Sequence, residues 1–150
     1  MITTIKILIN LISVFSGRLA GLIAFKLFFM PAVKPKMSEE DKKLFSEANK
    51  DSITINGKNT SLYEWGNSDK VVLIVHGWES RASQFSAIIR KFIDSGYKVV
   101  SFDAPSHGWS EGRSTTLLEF CQVIEHFNSK DYKIDTVVAH SFGTVCAGYS

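Results

Sequence analysis

Residues 135–144, Asp-Thr-Val-Val-Ala-His-Ser-Phe-Gly-Thr (DTVVAHSFGT), decide how this chain is read. Asp135–Ala139 is a short apolar run rich in β-branched residues, the mark of a buried strand. It runs straight into Ala139-His140-Ser141-Phe142-Gly143, after which the residues can continue as a helix. A turn that tight forces a strained backbone on the serine and lifts its hydroxyl off the sheet. Residues two before and two after must be small, because strand and helix backbones nearly touch there. Gly143 meets that demand, and Ala139 meets it with one methyl more than glycine. The helix N-terminus beneath Ser141 also offers free N–H groups to a developing negative charge.

Working toward the N-terminus, the same grammar repeats. Lys98–Asp103 (KVVSFD) and Val71–Val75 (VVLIV) read as strands covered on both faces. Helical spacing marks the segments between the three strands: Phe85, Ile88, Ile89, Phe92 and Ile93 within 82–95, closed by Gly96, and Leu117 through Phe127 within 115–127. Ahead of these, Ser52–Asn56 and Thr60–Trp65 read as an antiparallel hairpin around Gly57-Lys58-Asn59. Ser38, followed by Glu39, Glu40 and Asp41, predicts a capped helix running to about Ala48. Strands alternating with helices predict an α/β fold, a mostly parallel sheet with helices on both faces.

Two loops that come after strands carry further candidates. His76-Gly77-Trp78 opens the loop after the first buried strand. Asp103-Ala104-Pro105-Ser106-His107-Gly108-Trp109-Ser110 comes after the second. With Ser141 on its sharp turn, a nucleophile elbow, these three motifs over residues 52–150 resemble α/β-hydrolases of the bacterial esterase and monoacylglycerol-lipase kind. Ser106 stands where the family's D-x-x-G-H-G-x-S segment has its first glycine.

The resemblance implies a serine hydrolase acting on small-molecule carboxylic esters through an acyl-enzyme. Ser141 would be the nucleophile, and the backbone N–H groups of Trp78 and Phe142 would form the oxyanion hole. His76, Gly77, Asp103, His107, Gly108, Ala139, His140 and Gly143 would shape the site, and no metal or organic cofactor is implied. A serine at 141 disfavours haloalkane dehalogenases and epoxide hydrolases, which use aspartate there. Thioesterases and peptidases on the same scaffold stay open.

In this family the acid and the histidine come after the nucleophile, and nine residues remain beyond Ser141 here. The expectation is therefore a chain truncated after the elbow, without its triad acid and base. Made alone, it would be marginal, aggregation-prone and without esterase turnover. A non-catalytic, membrane-attached interaction module is the rival reading.

The N-terminus has a different character. Residues 3–30 are mostly Ile, Leu, Phe, Val and Ala, and residues 1–38 hold Lys6, Arg18, Lys26, Lys34 and Lys36 with no acid. That stretch is +5 in a chain whose net charge is +2, so the remainder is mildly acidic. Arg18 and Lys26 interrupt the apolar run that a spanning helix needs. A cleaved signal lacks a convincing A-x-A site. An interfacial helix tolerates both charges, although Lys6, Asn10, Ser13, Gly17 and Gly21 share one face while Arg18 and Lys26 fall elsewhere. A helix packed on the body is the alternative. The expected division is 1–36, an apolar basic helix with a Pro31–Lys36 linker, and 37–150, the hydrolase portion. These readings leave a cytoplasmic and a membrane-associated location both open. So small a net charge gives no case for nucleic acid as a partner. Cys121 and Cys146 have no metal-ligand spacing and sit in apolar, helix-like runs, which reads as core packing.

Overall fold

The computed structural model describes residues 2–31, 36–130 and 132–150. The chain divides into two compact units, Met1–Met30 and Pro31–Ser150.

The first unit is a pair of helices, α1 (Ile2–Phe15) and α2 (Gly17–Phe28). The apolar stretch is thus two short helices where sequence suggested one. Ser16 breaks it: its backbone is extended (φ −157°, ψ 101°) and its side chain caps α2 by accepting from Leu19 N–H at 3.2 Å. No helix among the described residues is long and apolar enough to cross a membrane. Of the expected linker, residues 32–35 lie outside the described residues.

The second unit begins with α3 (Glu39–Ser46). Ser38 and Asp41 form a reciprocal capping box, each side chain bonded to the other's backbone N–H. A hairpin comes next, β1 (Asn49–Ile55) and β2 (Lys58–Trp65), paired antiparallel with Ile55 opposite Lys58. The turn is therefore Asn56-Gly57, not Gly57-Lys58-Asn59. Both residues hold positive φ (47° and 77°), the geometry that matches the twist of the flanking strands.

The remaining elements are β3 (Val71–Val75), α4 (Ser86–Asp94), β4 (Lys98–Phe102), α5 (Leu117–Ser129), β5 (Ile134–Ala139) and α6 (Phe142–Tyr149). A 3₁₀ turn, Ala82–Phe85, precedes α4, so the helix expected over 82–95 begins late. The sheet order is β1-β2-β4-β3-β5. β3 pairs in parallel with both β4 and β5, whereas β2 pairs antiparallel with β4, so the sheet is mixed.

Period-two alternation sorts the side chains into two cores. Leu73, Val75, Val100 and Phe102 face α5 and α6, meeting Phe120, Phe127 and Cys146. Val72, Ile74 and Val99 face α3 and α4, meeting Leu44, Phe45 and Ile89. All five residues of β3 are buried, which is why that run is continuously apolar. Cys121 and Cys146 are free and lie inside the first core. β5 occupies the end of the sheet, and its Val137 is 48% exposed.

Candidate active site

Ser141 lies between the end of β5 and the first residue of α6 with φ 52° and ψ −123°. A non-glycine residue at positive φ is strained, costing about 1–3 kcal/mol, and persists only where its surroundings dictate it. Those surroundings are visible. His140 N–H donates to Val75 carbonyl at 3.1 Å, extending the β3–β5 ladder to the turn itself. Gly143 and Thr144 N–H groups then donate to the His140 and Ser141 carbonyls at 2.9 and 3.0 Å. A methyl at Gly143 would drive into His76 carbonyl and come within 2.9 Å of Val75 carbonyl. The helix can leave the strand this sharply only because residue 143 has no side chain. Ala139 ends β5 opposite Val75, where its extra methyl is accommodated.

The loop after β3 is pressed against this turn. A methyl at Gly77 would meet His140 carbonyl at 2.9 Å and Ser141 Cβ at 3.0 Å. The Trp78 and Phe142 rings meet edge to face, 5.5 Å between centroids. Phe142 is the first residue of α6, so its N–H has no carbonyl of its own helix to reach. Ser141 is exposed, and no side-chain capping bond holds it.

A buried polar cluster fixes the loops after β3 and β4. Ala104 N–H donates to His76 Nε2 at 2.9 Å, which places the imidazole proton on Nδ1, 2.7 Å from Gly77 carbonyl. His107 mirrors it: Glu79 N–H donates to Nε2 at 3.2 Å, and Nδ1 lies 3.1 Å from Pro105 carbonyl. Each loop thus sends one histidine to hold the other loop's backbone, with the rings 5.1 Å apart. Burial pushes His76 down to about 4. Burial, joined by the neighbouring His76, pushes His107 down to about 4 as well. With both nitrogens of each ring engaged, neither imidazole can take a proton from Ser141.

Asp103, at the end of β4, is buried and accepts three hydrogen bonds: Ala82 N–H at 2.8 Å, Tyr63 hydroxyl at 2.9 Å and Trp109 N–H at 2.9 Å. Burial raises its carboxyl above the ordinary value despite those bonds. Its carboxylate fills the space a side chain at Gly108 would need. Ser106, in place of the motif's glycine, keeps a glycine-like φ of 69°, its hydroxyl donating to Ser114 carbonyl at 2.6 Å. Ser110 hydroxyl donates to Asp103 carbonyl and accepts from Ser61 N–H at 2.8 Å. His140 has its ring beside Phe85, 6.0 Å between centroids. The structure therefore gathers Ser141, Gly77, Trp78, Phe142 and Gly143 at one point, with His76, His107, Asp103 and Gly108 as bracing behind them.

Two residues carry no signal in the sequence. Tyr63 reaches Asp103 from β2, and its partner, 40 positions away, leaves no local mark. Arg81 is 6% exposed with Nε and Nη2 unpartnered, a burial that an arginine in a polar loop does not announce. Among the described residues no group of three or more His, Cys, Asp or Glu could hold a metal ion.

A five-stranded mixed sheet, a strained serine at a strand-to-helix turn and a glycine loop against it define the hydrolase class of α/β folds. The chain belongs to the alpha/beta hydrolase family, which it matches over residues 72–149. Solved structures agree on the fold. An epoxide hydrolase from Vigna radiata is 22% identical, with a TM-score of 0.60 over 70% of this chain and 35% of its own. The thioesterase domain from the curacin biosynthetic pathway is 25% identical, with a TM-score of 0.61 over 68% of this chain and 40% of its own. Epoxide hydrolase A from Mycobacterium thermoresistibile is 19% identical, with a TM-score of 0.54 over 67% and 33%. The chain thus spans about a third to two fifths of the length of these structures. No curated protein matches it.

Proposed function

We propose that Ser141 is the nucleophile of a serine hydrolase that cleaves carboxylic esters through an acyl-enzyme. The observation that carries this reading is the positive φ of Ser141 where β5 meets α6, with Gly77 packed against its Cβ. In the reaction, Ser141 Oγ adds to the ester carbonyl, Trp78 and Phe142 N–H groups hold the oxyanion, the alcohol leaves, and water hydrolyses the acyl-serine. A serine rather than an aspartate at 141 supports ester or thioester substrates over epoxides, despite the epoxide hydrolases among the similar folds. The base that activates the serine is neither His76 nor His107, whose nitrogens are all engaged.

This predicts a particular behaviour of the 150-residue chain. With His76 and His107 engaged elsewhere, the oxyanion donors alone would still give roughly 10³–10⁴-fold catalysis over water. A fluorophosphonate probe should therefore modify Ser141 slowly and stoichiometrically, Ser141→Ala should abolish the modification, and p-nitrophenyl esters should show no sustained turnover. Labelling unchanged by Ser141→Ala would refute the nucleophile, and robust turnover would show that one of the four histidines activates it. A non-catalytic module is the second reading, favoured by that same engagement of both histidines, and a folded chain inert to the probe would support it. Residues 3–30 we read as a segment facing a membrane surface, because they are apolar and basic together.

A further inference from the structure

The first unit holds ten of the sixteen large apolar side chains that the described residues leave exposed. On α1 three arcs separate. Ile5, Ile9 and Ile12 recur at three- and four-residue spacing and are half-buried, the positions along which α1 meets α2. Lys6, Asn10 and Ser13 form a polar arc. Ile7, Leu8, Leu11, Val14 and Phe15 form the third, which is bare: Val14 is 79% and Phe15 90% exposed. On α2, buried Ala20 and half-buried Ala24 allow close approach, while Leu22, Phe25 and Phe28 point outward.

We propose that this unit lies flat in one leaflet of an anionic lipid surface, its bare apolar arcs in the acyl boundary and its cations among the headgroups. The proposal rests on the membrane-facing reading of residues 3–30 and adds the orientation and the lipid charge. Two observations choose this occupant. First, α1 and α2 have 14 and 12 residues, about 21 and 18 Å at 1.5 Å per residue, against a hydrocarbon core of about 30 Å. Neither reaches across. Second, this unit contains three cations, Lys6, Arg18 and Lys26, and no acid. That charge complements a negative surface, whereas a second copy of this unit would bring the same positive charge and no acidic face to meet it. Arg18 opens α2 and Lys26 lies in its last turn, both with stems long enough to reach headgroups from an apolar face. The single break in the helices is already satisfied, with Ser16 N–H donating to Ile12 carbonyl at 2.9 Å and Ser16 carbonyl accepting from Ala20 N–H at 3.0 Å.

The test is flotation of the full chain with vesicles of phosphatidylcholine alone or mixed with phosphatidylglycerol, at low and high salt. The expected result is strong flotation with the mixed vesicles that salt weakens. Each cation near the surface is worth about a fivefold change in partitioning, so Arg18→Gln/Lys26→Gln should bind mixed vesicles roughly 25-fold more weakly and neutral ones unchanged. Leu11→Ser/Phe15→Ser should lose binding to both, with circular dichroism of the body unaltered. Equal, salt-insensitive binding to both vesicles would overturn the anionic-leaflet proposal and leave the membrane reading standing. Absence of flotation from either would overturn both, and a lipid-independent oligomer lost in Leu11→Ser/Phe15→Ser would assign the face to a second copy.

Discussion

Acid should loosen the loops around Ser141, and the two clasping histidines set how steeply. His76 and His107 are held near 4 in the fold, against about 6.5 in an unfolded chain. A depressed imidazole means that the unfolded state binds more protons between those values, so stability is full above pH 6.5 and is lost as pH falls toward 4. At pH 4 each histidine accounts for about 3 kcal/mol of that loss. The pair together approach the whole stability of a small domain, roughly 5–15 kcal/mol. Near pH 5.5 each releases close to one proton on folding, giving a slope of about 2.5 kcal/mol per pH unit for both. His107→Gln keeps an amide oxygen to accept Glu79 N–H and does not titrate. It should cost about 1 kcal/mol at neutral pH and cut the slope nearly in half. Urea unfolding followed by circular dichroism at half-unit steps from pH 7 to 4.5 reads both quantities. An unchanged slope in the variant, or His76 and His107 proton resonances titrating near 6.5 in the folded protein, would refute the clasp.

The glycine at the turn gives a second prediction. Gly143→Ala places a methyl against the backbone of β3, which cannot move aside as a side chain would. Overpacking of this kind costs about 1–3 kcal/mol, so a lowered urea midpoint and loss of fluorophosphonate labelling at Ser141 are expected together; a fully stable, normally labelled variant would mean that the close approach does not exist. For Asp103, the amide and alanine variants should differ in order. Asp103→Asn can keep two of the three donors by turning its oxygen toward Tyr63 and Trp109, costing about 1–3 kcal/mol, whereas Asp103→Ala strands all three and costs several times that. Equal urea midpoints for the two variants would contradict the bonding assigned to that carboxylate.

The sheet was readable because its signal is local. Val71–Val75 is apolar at every position since both faces are covered, and the turn after Ala139 demands small residues at fixed offsets whatever surrounds it. Where sequence and structure part, the deciding physics was elsewhere. The hairpin turns at Asn56-Gly57 because two consecutive residues must take positive φ, a demand that Asn-Gly meets better than the Lys58-Asn59 pair beside it. Residues 3–30 break at Ser16 because a serine can cap a new helix inside an otherwise apolar run. Ser106 holds φ 69° without being glycine, so a motif written in glycines would not have announced it. Tyr63, Asp103 and Ala82 meet only once the chain has folded.

These long-range bonds explain why two loops of mostly polar residues can be placed as finely as the strands that lead into them. The hydrophobic layers fix where β3, β4 and β5 end, but apolar packing has no direction and cannot aim a backbone N–H. Aiming requires partners with geometry: His76 and His107 crossing between the loops, and Asp103 gathering β2, the 3₁₀ turn and the segment after β4. Taking that carboxylate and those imidazoles out of water is costly unless each is bonded, and apart from the Tyr63 hydroxyl on β2 their partners are backbone groups of the loops and the 3₁₀ turn. Those bonds hold the loop that carries Gly77 and Trp78 where Gly77 lies against Ser141. A weakened clasp should therefore diminish labelling of Ser141 before the sheet unfolds, which the pH series on wild type and His107→Gln, read by probe and by circular dichroism in parallel, puts to measurement.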